Sequence, residues 1–372
     1  MPETDLPDAG PPRDEVDGLF TVYEVRVRDG QLRYYGEPLA AKQKILEALW
    51  PVFRDRGYEL SLSTDLGEHV LVAEPRQPTS EGLPWVNILL ALATVGTTLF
   101  AGAQWYHIPI DSSPLNVIDA WPFVAAIMGV LGIHELGHYA MSRYYDVDAT
   151  LPYFIPIPTF IGTLGAVIRM RGQMPSRKAL FDIGVAGPLA GLVATIVVSV
   201  IGLLLPPLTV PEHAATAAGA MQIRLGFPPM LQFIAWTLGQ PLHYSEPTKV
   251  VNPVVIGGWV GMFVTFLNLL PVGQLDGGHI LRAVLGRSHE TVAKVVPFAL
   301  FGLAGYLFLT KGGGNAVGLW AFWGVFTFVI AKAGSATPIL ERELGTGRKL
   351  LAVVTFLLGL LAFTPVPIQI VS

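Results

Sequence analysis

Seven apolar stretches dominate this chain, at roughly 85–104, 121–142, 180–205, 253–272, 294–310, 316–332 and 349–366. Each is close to the ~20 residues that a helix needs to cross hydrocarbon. Inside hydrocarbon no water satisfies a backbone N–H or C=O, so such stretches fold as helices that pair their own backbone. The expected fold is therefore an α-helical polytopic membrane protein of about seven transmembrane helices. The composition fits, since 52% of the 372 residues are hydrophobic and 14% are charged, whereas soluble domains carry about 25% charged residues. Trp85, Trp105, Trp121, Trp259 and Trp320 stand near segment ends, where indole rings serve as interfacial anchors.

Loop charge sets the orientation. With the N-terminus in the cytoplasm, twelve Lys and Arg fall in cytoplasmic loops: Arg143, Arg169, Arg171, Arg177, Lys178, Arg282, Arg287, Lys294, Lys332, Arg342, Arg348 and Lys349. Only three, Arg224, Lys249 and Lys311, fall outside. The positive-inside rule then places the N-terminus on the cytoplasmic (or stromal-equivalent) side and the C-terminus outside. The net charge of −4 shows no basic excess, so no nucleic-acid partner is expected.

Ahead of the first segment the pattern is that of a soluble module. Residues 1–17 are polar, with Pro and acidic residues, and read as a disordered tail rather than a signal peptide. Tyr23, Val25 and Val27 alternate with Glu24, Arg26 and Arg28, a strand with one buried face. Asp29-Gly30 is a hairpin turn, and Gln31 to Tyr35 returns. Leu39 to Arg56 reads as a helix with Ile45, Leu49, Val52 and Phe53 on one face. Tyr58 to Ser63 and His69 to Glu74 make a second hairpin around Asp65-Leu66-Gly67. The result is a small α+β domain at 18–76, a regulatory or interaction module, joined by a linker at 77–84 to a membrane domain at 85–372.

Two connections are not simple loops. Leu151 to Met170 is apolar but rich in Pro and Gly, too broken to span, and is expected as a hairpin or re-entrant element with a strand at Ala166 to Met170. Irregular backbone at that depth needs protein or a watery cavity to satisfy it. Within Pro206 to Asn252, the residues Met230, Leu231, Phe233, Ile234 and Trp236 mark an interfacial amphipathic helix.

The chemistry is concentrated in the second segment. Between Trp121 and Met141 the only acidic, basic or imidazole side chains are His134, Glu135 and His138. They form H-E-x-x-H, which on a helix puts both imidazoles on one face, one turn apart. Ionisable groups at membrane depth are costly and mark function. Two histidines pointing at one metal ion, with a carboxylate beside them to handle a water, is the arrangement of a zinc hydrolase. The chain has no cysteine, so a third ligand must be His, Asp or Glu. Asp276 stands out, in Asn268-Leu269-Leu270-Pro271-Val272-Gly273-Gln274-Leu275-Asp276-Gly277-Gly278. Pro271 and Gly273 break the fourth segment there and let a side chain turn back toward the bundle. Asp182, at the start of the third segment, is a weaker rival. His279 is read as a solvated residue near the membrane edge, with an outer-shell role as the lesser alternative. In the third segment Gly187 and Gly191 make a small-xxx-small face, which suits close helix packing and equally a role in shaping the site.

H-E-L-G-H on a membrane helix, followed by N-x-x-P-x-x-x-L-D-G at Asn268, Pro271, Leu275, Asp276 and Gly277, resembles the site-2 protease family of intramembrane zinc metalloproteases. The run Arg177-Lys178-Ala179-Leu180-Phe181-Asp182 and the Ala186-Gly187-Pro188-Leu189-Ala190-Gly191 stretch are similar to the branch with the plant plastid site-2-like proteases. That resemblance implies one Zn²⁺ per chain held by His134, His138 and Asp276, with Glu135 as general base and then acid. It also implies that Asn268 supports the substrate carbonyl. The implied substrates are transmembrane proteins in the lipid bilayer, cut near the cytoplasmic side. A helix has its amides tied up internally, so the target must unwind locally. The apolar Gly/Pro-rich stretch directly after the site helix is expected to offer an edge strand in 151–170 that receives the unwound segment. Two other classes compete. One is a non-enzymatic polytopic protein, a metal transporter or an inactive scaffold. The other is a prenyl-protein or heat-shock type zincin, whose third ligand would be a downstream carboxylate such as Glu341 or Glu343.

Overall fold

The structure, a computed structural model, describes residues 10–65, 67–76, 83–211, 222–246 and 248–371. Most of the N-terminal tail and the 77–84 linker, and Leu66 of the second hairpin, lie outside these residues. The chain divides into two compact units.

The first unit is a four-stranded antiparallel sheet carrying one helix. Its strands are β1 (Phe20–Arg28), β2 (Gln31–Pro38), β3 (Tyr58–Asp65) and β4 (Glu68–Pro75), in the order β1-β2-β4-β3. Helix α1 (Lys42–Asp55) lays Ile45, Leu46, Leu49, Trp50 and Phe53 onto the core with Phe20, Tyr34, Leu60 and Leu71. It continues through Pro51, whose missing N–H removes one helical bond while the buried face on either side keeps its packing. The alternation of β1 is not fully realised. A register shift between Val22 and Glu24 turns Tyr23 outward, and Val27 is exposed as well, leaving Val25 as the buried member of that trio. Phe53 is fully buried and meets Tyr34 edge-to-face at 5.5 Å. Phe53→Ala is expected to destabilise this unit by about 3–5 kcal/mol, read in the intact chain as faster hydrogen exchange of the β2 and β4 amides. Unchanged exchange there would show that Phe53 is not a core residue.

This unit also takes in Arg171–Arg177 and Thr337–Arg342. Met174–Ser176 and Pro338–Leu340 pair as a short parallel ladder. Gln173 accepts a bond from Trp50 Nε1 at 2.9 Å and donates to the Leu60 carbonyl at 2.7 Å. Gln43 donates to the Ile339 carbonyl, and Ile339 joins the core.

The second unit is helical. Five of its described helical stretches are long and apolar enough to cross a membrane: Trp85–Trp105, Pro114–Tyr144, Arg177–Leu204, Asp276–Lys311 and Asn315–Ala333. Large apolar residues such as Leu89, Phe298, Leu309, Phe322 and Leu350 lie exposed on these and neighbouring helices, as expected of a lipid-facing surface. The fourth and seventh apolar stretches form shorter helices, Val254–Asn268 of 15 residues and Thr346–Leu361 of 16. The first of these ends where Pro271 and Gly273 redirect the chain. We label Trp85–Trp105 α2, Trp121–Tyr144 α3, Arg177–Leu204 α4, Pro229–Leu238 α5, Val254–Asn268 α6 and Asp276–Leu285 α7.

Three features position the site. First, α3, α4 and α6 approach closely at small residues. A side chain on Gly257 would strike Ala126, and one on Gly258 would strike Ser199. Second, the Pro/Gly-rich stretch is a β-hairpin of β5 (Tyr153–Pro156) and β6 (Thr163–Val167), so the strand begins three residues before the expected Ala166. Thr163 decides that start, because its hydroxyl donates to the Ile155 carbonyl at 2.9 Å across the hairpin. Helix α2 satisfies the hairpin's irregular backbone. Asn87 donates to the Leu151 carbonyl, Thr97 to that of Gly162 and Trp105 to that of Phe160. Third, α5 forms where amphipathicity suggested, with Met230, Leu231 and Ile234 buried while Phe233 and Trp236 are exposed.

Two of the five tryptophans read as interfacial anchors are instead core residues. Trp259 and Trp320 are fully buried and donate Nε1 to the carbonyls of Gly226 and Pro365, at 2.8 and 2.7 Å. A backbone acceptor inside the protein removes the need of the indole N–H for interfacial water.

Candidate metal centre and active site

His134, Glu135 and His138 project from α3 and are all buried, between 3% and 7% exposed. The two imidazole centroids are 5.1 Å apart, the spacing of one helical turn. Asp276 is the first residue of α7. To bring it here the chain must reverse directly after α6, and it does so with almost no clearance. A Cβ on Gly277 would lie 2.2 Å from the Leu269 carbonyl oxygen, so only glycine fits where the reversed chain passes its own backbone.

The reversal places the Asp276 carboxylate between the histidines. Oδ2 lies 3.2 Å from His134 Nε2, and Oδ1 lies 3.1 Å from His138 Nε2. His138 Nδ1 is 2.8 Å from the carbonyl of Ile183 on α4, an acceptor only, so Nδ1–H donates and the neutral ring carries a lone pair on Nε2. That lone pair faces a carboxylate oxygen. Acceptors held face to face at this distance call for a cation between them. Donors about 2.0–2.2 Å from a tetrahedral ion are themselves ~3.3 Å apart, close to the separations seen. His134, His138 and Asp276 are the one group of three metal-capable side chains found among the described residues. The donor set, two imidazoles and a carboxylate, fits Zn²⁺.

Helix α4 shapes this pocket from behind. A Cβ on Gly187 would sit 2.1 Å from His138 Nε2, and one on Gly191 would sit 2.7 Å from His134 Nδ1. The two glycines form the cradle in which the imidazoles lie, so both readings of the small-xxx-small face hold at once. On the open side, Asn268 at the end of α6 brings Nδ2 within 3.2 Å of His134 Nε2. The backbone amide of Ile168, just past the end of β6, faces the Glu135 carboxylate. The hairpin edge therefore runs beside the carboxylate best placed for proton transfer.

The remaining sequence candidates separate cleanly. Asp182 is held in a two-pronged ion pair by Arg348, Nε and Nη2 each 2.8 Å from a carboxylate oxygen, and also accepts from the Tyr145 hydroxyl. It plays no part in the histidine cluster. Glu343 is exposed and paired with Lys349 at 3.3 Å, and the backbone N–H of Glu341 donates to Glu47 in the first unit. His279 corrects the reading of a solvated edge residue. It is 6% exposed, beneath α4 where a Cβ on Gly184 would meet it at 3.2 Å. The face of α7 that carries Asp276 inward carries His279, one turn on, inward too. The Ile183 carbonyl and the Ile168 amide were beyond sequence reasoning, since every residue has such groups.

Comparison with known proteins agrees with this geometry. Residues 122–309 match the family model described as peptidase family M50. The chain is similar to the probable chloroplastic zinc metalloprotease EGY1 of Arabidopsis thaliana, 30% identical over 319 residues, covering 79% of this chain and 55% of that protein. It is 29% identical over 253 residues to the rice protein of the same name (Oryza sativa subsp. japonica), covering 67% of this chain and 41% of the relative. With the probable chloroplastic zinc metalloprotease EGY2 of Arabidopsis thaliana it shares 27% identity over 360 residues, covering 91% of this chain and 60% of that one. The chain thus spans about half the length of the curated relatives it matches.

Proposed function

We propose that this chain, which belongs to peptidase family M50, is a zinc-dependent intramembrane endopeptidase that hydrolyses peptide bonds within or near transmembrane helices of membrane-protein substrates. The observation that carries this reading is the convergence of two imidazole nitrogens and a carboxylate beside buried Glu135, inside an apolar bundle. In this reading His134, His138 and Asp276 hold one Zn²⁺ per chain. Bound there, Zn²⁺ supplies Lewis acidity, which brings the pKa of a water toward about 7 and polarises the scissile carbonyl.

The chain's own residues do the rest. Glu135 takes a proton from the attacking water and later delivers it to the amide nitrogen as the C–N bond breaks, so the leaving group departs as a neutral amine. Asn268 directs its amide N–H toward the oxygen of the substrate carbonyl as negative charge gathers there. Substrate helices have their amides tied up internally, so the target segment unwinds and adds to the edge of the hairpin near Ile168. The 85–372 region is the protease domain, with the shorter helices Val254–Asn268 and Thr346–Leu361 completing seven crossings. The 18–76 module regulates it. The N-terminus lies on the cytoplasmic or equivalent side, supported by twelve basic loop residues against three.

The purified intact chain is expected to carry about one Zn²⁺ and to cut a single-span membrane substrate. Asp276→Ala is expected to lower bound zinc at least tenfold and to abolish cleavage, because two imidazoles alone leave the site one ligand short. Full metal content and activity in Asp276→Ala would remove Asp276 from the ligand set.

A further inference from the structure

We infer that the end of the bundle remote from the metal centre carries a binding site for an amphiphile with an anionic headgroup. A cavity of about 490 Å³ lies between the C-terminal end of α2 and the N-terminal end of α6, beside the strand Gln222–Leu225. Its walls include Trp105, Leu225, Phe227, Val255, Ile256 and Trp259. From Ile256 to Asn268 is twelve residues of α6, or about 18 Å at 1.5 Å per residue. The cavity therefore lies at the opposite end of α6 from Asn268 and the histidines, and serves no step of the chemistry proposed above.

Charge selects the ligand. Arg224 and Lys249 stand at the cavity. Lys249 is matched by Glu246, at 2.8 Å, whereas Arg224 is exposed and has no ion pair among the described residues. A second cavity of about 530 Å³ shares Arg224, Leu225 and Phe227 and adds Tyr306 and Lys311. Arg224, Lys249 and Lys311 are the only Lys or Arg in the connections at this end of the bundle, and all three line these two cavities. Basic residues are sparse on this side, yet those present gather around apolar slots at the level where the helices end. An aromatic-walled slot with an exposed guanidinium at its mouth suits an acyl chain below and a phosphate or carboxylate above. The strand bearing Arg224 is itself fixed by antiparallel pairing with Ile368–Val371, so the guanidinium is presented from an anchored backbone.

The test uses the intact chain, equilibrated in detergent with dioleoyl phosphatidylglycerol, dioleoyl phosphatidylcholine or oleate and examined by native mass spectrometry for retained molecules. The expected result is preferential retention of an anionic probe over phosphatidylcholine, falling at least fivefold in Arg224→Gln and unchanged in Lys349→Gln. Retention of phosphatidylglycerol identifies a diacyl lipid as the source of this chemistry, and retention of oleate alone identifies a free fatty acid. Arg224 is exposed, so its substitution is expected to leave thermal unfolding unchanged, and that is measured alongside. Equal retention of zwitterionic and anionic probes, or undiminished retention in Arg224→Gln, overturns the inference.

Discussion

Glu135→Gln is expected to lower the rate of substrate cleavage by about a thousandfold or more while bound zinc stays at the wild-type level. Glutamine keeps the size and hydrogen-bonding reach of glutamate but accepts no proton from an attacking water, and general acid–base catalysis by a positioned side chain contributes roughly 10²–10⁴-fold. Glu135 is 7% exposed in an apolar helix, so bulk water is poorly placed to substitute for it. The proposed ligand atoms belong to His134, His138 and Asp276 and are untouched by the change. Metal content and cleavage of a single-span substrate should be measured on one preparation. Zinc lost together with activity would recast Glu135 as a structural support of the site, and activity retained would end the assignment of Glu135 as base.

A second large effect comes from a residue with no side chain. Gly187→Ala places a methyl group 2.1 Å from His138 Nε2, with the Cδ2 and Cε1 atoms at 2.3 and 2.5 Å. The ring has little room to yield, because its Nδ1–H is tied to the Ile183 carbonyl of the same helix that carries the new methyl. The imidazole must swing off its ligand direction, and loss of such orienting contacts typically costs about 10–100-fold in metal affinity or activity. Here the ligand itself is displaced, so about a hundredfold loss of zinc affinity is expected, with cleavage lost in parallel. The helix should survive, since Ala is the better helix former by about 1 kcal/mol. Gly318→Ala, at an open helical position with nothing within 4 Å, is the matched control and should bind metal normally. Wild-type zinc affinity in Gly187→Ala would mean that the cradle is looser than its distances say.

The parts of this site that a reader of the sequence can find are those with strict spacing or costly context. His134 and His138 announce themselves by their four-residue interval, and all three ionisable groups by their apolar surroundings. Asp276 is reachable because Pro271 and Gly273 signal where the chain turns back. What escapes is whatever depends on backbone atoms or on contacts between distant segments. The Ile183 carbonyl that sets the His138 tautomer carries no side-chain signature. Asp182 looks like a spare ligand until Arg348, 166 residues later, is found holding it. His279 reads as an edge residue because depth in a bundle is a property of packing, and its burial follows from the inward tilt that delivers Asp276. Hydropathy likewise gives the length of an apolar run but not where its helix stops. That is why Val254–Asn268 ends before the run at 253–272 does, and Thr346–Leu361 starts before the run at 349–366 and ends inside it.

The N-terminal sheet unit recruits Arg171–Arg177 and Thr337–Arg342, and this has a consequence in time. A ribosome makes the four strands first, yet Gln43 gains its Ile339 acceptor, and Met174–Ser176 its ladder partner, only after Pro338–Leu340 has been made. Every apolar stretch up to residue 332 has by then been synthesised. Completion of the unit thus comes after synthesis of every residue up to Leu340, with His134, His138 and Asp276 among them. A nascent chain stalled before residue 337 should hold the four-stranded sheet with that ladder unmade, an assembly checkpoint written into strand pairing.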